Sequence, residues 1–96
     1  MQNQSFQQSL STDGTEYAQV KLRIEEQLNR SRRWFKDGES LDLFAGRQLE
    51  AKSDDSRFIP LVNRANRILA MLEVGAPLLI LENECAMLKE IVDALC

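Results

Sequence analysis

The 96-residue sequence contains no histidine. Imidazole titrates nearest neutral pH, so the usual general base is missing, together with the commonest zinc ligand. Cysteine is nearly as scarce. Cys85 and Cys96 are the only two, with no CxxC spacing. On one helix they would stand about 16 Å apart, too far for a bridge. Both read as reduced thiols, and Cys85 as a small hydrophobe. There is no GxSxG, Walker A loop, GxGxxG or HExxH, the patterns that position nucleophiles, phosphates, dinucleotides or zinc. Glu82 and Glu84 would point about 200° apart on a helix and cannot act as a carboxylate pair. These absences predict a chain that is not an enzyme, with no catalytic residue, no cofactor and no metal site.

Long apolar runs are missing as well. The longest, Ala76 to Leu81, has six residues, against about 20 needed to cross a bilayer. The opening MQNQSFQQSL has neither a basic start nor a continuous apolar stretch, unlike a secretory leader. The expectation is a soluble, cytoplasmic protein with no membrane partner. β-branched residues are few and nothing alternates with period two, which argues against strands.

What the sequence does contain is helical periodicity. Residues 1–12 are rich in Gln, Ser and Asn, a composition that predicts a disordered polar tail. Phe6 and Leu10 are the tail residues that would order on a partner. Residues 13–96 read as a single helical domain. Asp13 and Glu16 have capping-box spacing and predict a helix start. That helix runs to about Lys36 on Tyr17, Val20, Ile24, Leu28, Trp34 and Phe35, a stripe interrupted by Gln27 and Ser31. Lys36-Asp37-Gly38 is its predicted stop, with Gly38 left-handed. Ser40 would head a short helix carrying Leu41, Phe44, Ala45 and Leu49, weakened by Gly46. After the polar break Ser53–Ser56, Pro60 fits the first turn of a helix to about Val74. Gly75-Ala76-Pro77 then joins it to a last helix, and so short a connection predicts antiparallel neighbours. The fold class is all-α: a small bundle of three to four helices with a C-terminal antiparallel helical hairpin. A chain this short has a limited core, so association into a homodimer is expected.

The last helix carries the sharpest signal. At about 100° per residue, Leu78, Leu81, Cys85, Leu88, Val92 and Leu95 form one band, which Ile80, Met87, Ile91 and Ala94 widen to roughly 200°. Glu84 lands inside it. An unpaired carboxylate there is costly, so it needs a partner. Arg64 or Arg67, one hairpin arm away, is the candidate. A band that wide exceeds what one helix covers, so it meets two helices or a second molecule.

Charge is uneven. Lys21 to Lys36 holds six basic and two acidic residues, while Glu73 to Cys96 holds five acidic residues against Lys89. Opposite poles predict contact between the two segments. Arg30, Arg32, Arg33 and Lys36, interleaved with Trp34 and Phe35, make a possible nucleic-acid patch. Yet the net charge is −3, and basic residues near a helix end also suit its dipole. The size and charge are those of small bacterial and phage helical proteins that occupy a partner's surface. The function expected is therefore a protein-binding regulator that sequesters or inhibits another protein. Its contact residues would be Leu81, Glu84, Leu88, Ile91 and Leu95. The alternatives are a secretion-type chaperone or structural assembly component, and a nucleic-acid-binding regulator using Arg30–Lys36.

Overall fold

The computed structural model describes the backbone of residues 2–96 and the side chains of residues 15–96. The helix expected to start at Asp13 has its backbone start at Gln2 instead, while the expectation of a polar tail over residues 1–12 falls on side chains outside the described ones. The described residues are mostly helical and form no strand longer than a single bridge, so the chain is all-α. Three α-helices carry the fold: α1 (Gln2–Arg30), α2 (Ile59–Glu73) and α3 (Leu78–Leu95). Short 3-10 turns stand at Arg32–Trp34, Gly38–Ser40 and Ser56–Phe58.

α3 packs against both α1 and α2. Val20, Ile24 and Leu28 of α1 meet Leu81, Cys85, Leu88 and Val92 of α3, with Leu61, Ala65 and Ile68 of α2 completing the buried cluster. Gln27 and Ser31 do not interrupt the α1 stripe; both are buried in it. Burial is tolerated because each polar group is satisfied. The Ser31 hydroxyl donates to the carbonyls of Gln27 and Leu28, and Gln27 accepts from Arg30.

α1 stops at Arg30, earlier than the Lys36 expected from its apolar stripe. Trp34 and Phe35 are adjacent and cannot both face one core from a helix. The chain instead extends at Phe35 (φ −96°, ψ 142°) and buries its ring. There it forms an antiparallel bridge to Ala51: Lys36 N–H donates to Glu50 O and Lys52 N–H to Trp34 O, both at 2.8 Å. Asp37, not Gly38, takes the left-handed position, at φ 56°. Gly38 is needed for space: a Cβ there would lie 1.9 Å from the Arg32 carbonyl oxygen.

The short helix expected after Ser40 is replaced by an irregular segment. Leu43 and Leu49 reach the core from it, and the Asn66 side chain holds its far end. Asn66 accepts from Leu49 N–H at 2.7 Å and donates to Leu49 O at 3.0 Å, as a neighbouring strand would. α2 begins as expected, with Pro60 in its first turn. It ends in a Schellman motif, with Ala76 N–H on Met71 O and Gly75 N–H on Leu72 O. Gly75 has φ 69°, which a glycine adopts without penalty. Among the described residues no helix is long and apolar enough to cross a membrane.

Candidate protein-binding face

Glu84 sits in the second turn of α3, pointing at α2. Its side chain is 10% exposed and both candidate arginines reach it. Arg64 Nη1 donates to Oε1 at 2.7 Å, and Arg67 Nε lies 3.3 Å from the same oxygen. Arg64 and Arg67 stand three residues apart on α2, so both project to one side of that helix. The expectation of a single partner therefore becomes a two-to-one arrangement. Arg64 is 24% exposed and belongs to the packed interface, whereas Arg67 is 60% exposed at its edge.

The remaining expected contact residues divide. Leu81 and Leu88 are fully buried under α1 and α2, so they face the chain's own core and are not open to a partner. Ile91 and Leu95 are half-buried at its margin. The open apolar residues of this hairpin are others: Val74 in the turn, and Leu79, Ile80 and Met87 on α3. Leu79 is 70% exposed and Met87 44%. Ile80, Met87 and Ala94 recur every seven residues and stay on one side of the helix. Helical projection had placed Ile80 and Met87 in the wide band without separating its covered half from its open half.

The opposite side of α3 carries the charge contacts between poles. Arg30 Nη1 lies 2.8 Å from Asp93 Oδ1, and Arg23 Nη2 lies 3.8 Å from Glu82 Oε2. These pairs tie basic α1 to acidic α3. Asp93 also accepts from Lys89 at 2.9 Å. The hydrogen bonds from Lys89 and Arg30 hold the Asp93 carboxyl below the usual carboxylate range. The Arg30 guanidinium is shifted up, chiefly by its bond to Asp93.

Part of the expected basic patch is engaged within the fold. Arg30 is bound to Asp93 and Gln27. Arg32 Nη1 donates to the carbonyls of Gly38 at 2.7 Å and Leu41 at 2.8 Å, clamping the irregular segment. Arg33 lies over the Trp34 ring, 5.3 Å from its centre, and Trp34 stacks on Phe58. Lys36 is exposed. Two of the four cations are thus spent inside the fold.

Elsewhere, a cleft of about 480 Å³ opens between α1, α2 and the 43–48 segment. Lys21 Nζ stands 5.0 Å from the Phe44 ring centre at its wall. Both cysteines are free: Cys85 is buried and Cys96 exposed. Burial pushes the Cys85 thiol up, which leaves it a poor nucleophile at neutral pH.

No known protein-family model matches this chain, and no solved structure matches it. A stretch of 35 residues, 36% of the chain, is 60% identical to the DNA-directed RNA polymerase subunit beta′ of Thermotoga petrophila. The beta′ subunits of Thermotoga neapolitana and Thermotoga maritima match over the same length and at the same identity. The chain spans 2% of the length of each of these subunits.

Proposed function

We propose that this chain is a small helical protein-binding regulator, which engages its partner through the open side of α3 and sequesters or inhibits it. In this reading α2 and α3 form an antiparallel hairpin that, with α1, makes a small bundle. The observation that carries it is the set of exposed apolar residues on α3: Ile80 and Met87 stand on one side of the helix, and Leu79 stands about 80° around from Met87. Isolated exposed apolar residues are ordinary, but Ile80 and Met87 stand together on one side of α3 next to half-buried Ile91, and grouped exposure of that kind supports an interaction surface. A partner burying these side chains gains about 25 cal/mol per Å² of apolar area. Glu84 acts here as a positioning residue for the arginines at the edge of that group. Pairing of two copies through the same group is the competing arrangement.

The test compares proteins retained by the immobilised wild-type chain, by Leu79→Asp with Met87→Asp, and by Arg33→Glu with Lys36→Glu. The expected result is a retained protein that disappears with the first pair and survives the second. An identical retained set for all three sinks the proposal. Loss only with the second pair would favour nucleic-acid or other charge-driven binding, which weakens steeply with salt.

The beta′ match favours a narrower second reading. A short chain that shares a segment with one subunit of a multi-subunit enzyme can compete for the contacts which that segment makes in the assembly. The partner would then be RNA polymerase itself. Purified polymerase core retained by wild type, and not by the Leu79→Asp, Met87→Asp variant, is the expected outcome. Absence of retention at micromolar concentrations ends this second reading and leaves the first standing.

A further inference from the structure

We infer that the cleft between α1, α2 and the 43–48 segment binds a small carboxylic acid with a compact apolar body. This site stands apart from the α3 face and does not depend on it. The cleft's volume of about 480 Å³ lies in the range of small-molecule pockets, about 300–1,000 Å³. Two turns of helix, about 10 Å across and 11 Å long, take up roughly 850 Å³ and do not enter it. Its inner wall is apolar: Leu43 is buried, and Leu69 and Leu72 of α2 are half-buried. Its outer wall is the exposed stretch 44–48, which is pinned on either side. Arg32 holds the carbonyls of Gly38 and Leu41 before it, and Asn66 holds Leu49 after it.

The charges around this wall do not cancel. Lys21 and Arg47 line the cleft, and Glu73 is the one carboxylate among the described residues that does so. None of the three takes part in an ion pair among the described residues. Lys21 Nζ is instead held 5.0 Å from the Phe44 ring centre, which fixes its ammonium at the cleft wall. Tyr17 O–H donates to Leu72 O at 3.4 Å, so Glu73 stands at the Tyr17 end. Arg47 lies two residues before Leu49, which Asn66 holds about 10 Å back along α2 from Glu73. The acidic end and the Arg47 end are thus separated by the length of the cleft. A ligand with its carboxylate toward Lys21 and Arg47 and its apolar body against Leu69 and Leu72 offsets the excess cation and covers the apolar wall. A neutral ligand of the same shape gains only the second. An amine meets two cations for one carboxylate, so the charge balance selects the acid.

Three probes with one body separate charge from shape: phenylpropionate, phenylpropanol and phenylpropylamine. Each is titrated at low salt into the isotope-labelled full chain while its backbone amides are followed by NMR. The acid should shift the amides of Lys21, Phe44 and Arg47 and bind at least about fivefold tighter than the alcohol or the amine. Lys21→Gln with Arg47→Gln should erase that preference while the far-UV spectrum stays unchanged, and Glu73→Gln should strengthen it. Phe44→Ala should weaken all three probes alike. Absence of shifts at these amides with every probe at millimolar concentration overturns the inference. So does equal binding of the three, an amine preferred to the acid, or a preference that survives the double variant. Shifts of the same amides on raising the protein concentration alone would show that a second copy fills the cleft, and would also overturn it.

Discussion

Glu84→Gln isolates the charge of the α2–α3 contact, because glutamine keeps the shape and one acceptor oxygen. Removing one partner of a fully buried ion pair costs about 3–5 kcal/mol, since the other charge stays desolvated. An exposed pair is worth only about 0–1 kcal/mol. This contact lies between those limits. Glu84 is 10% exposed and Arg64 is 24% exposed, so water reaches the arginine once the carboxylate is gone. A loss of about 1–2 kcal/mol follows from interpolating between the two regimes. In a domain of this size each kcal/mol lowers the midpoint by about 4–8 °C, so thermal unfolding by circular dichroism should fall by about 4–16 °C. A double-mutant cycle apportions it. Coupling of Glu84→Gln with Arg64→Gln should exceed coupling with Arg67→Gln, because only Arg64 is both close and shielded. A midpoint within 1–2 °C of wild type, about the noise of such a scan, would refute the reasoning. Stronger coupling to Arg67 would refute the assignment of roles.

Gly38→Ala should destabilise by about 1–3 kcal/mol, the usual range for forcing atoms into filled space, because its Cβ would meet the Arg32 carbonyl oxygen. Gly75→Ala meets nothing within 4 Å and should cost only the left-handed backbone, about 1–2 kcal/mol. Asparagine should recover part of that loss at Gly75 and none at Gly38; the same recovery at both positions would contradict the distinction. In native protein iodoacetamide should modify the exposed Cys96 and spare Cys85 until unfolding, as mass spectrometry of timed samples can read. The Asp93 carboxyl is held below its ordinary value, so the folded state binds protons there less readily than the unfolded chain. Its contribution is present above about pH 4, the ordinary carboxylate value, and is lost as pH falls through the lower folded value. Asp93→Asn should flatten that part of an acid unfolding profile, and an unchanged profile would assign the acid sensitivity elsewhere.

The parts of this fold legible in the sequence are those fixed by local chemistry. Pro60, Gly75 and Pro77 punctuate α2 and α3: α2 starts beside Pro60 and stops before Gly75, and α3 starts beside Pro77. The end of α1 was not legible, because tertiary contacts decide it. Ser31 turns its hydroxyl back onto α1, Arg32 reaches across to Gly38 and Leu41, and Phe35 needs an extended backbone to enter the core. Two adjacent bulky aromatics, Trp34 and Phe35, were the available sign that a helix could not continue. Glu84 was legible because a carboxylate breaks an apolar band visibly. Its neighbours were not, since Ile80 and Leu81 differ by one position and about 100° of rotation. Which of them faces water depends on where α1 lies. α1 lies against one flank of α3 through Val20, Ile24 and Leu28, with the exposed pairs Arg23–Glu82 and Arg30–Asp93 at its border, while α2 lies against the other flank, where Glu84 meets Arg64. Two helices so placed cover Leu81, Leu88 and Val92 and stop short of Ile80 and Met87. The opposite charge of the two segments was visible in the sequence, but its exposed pairs add little, and it is the burial of Val20, Ile24 and Leu28 that sets which side of α3 is covered by α1.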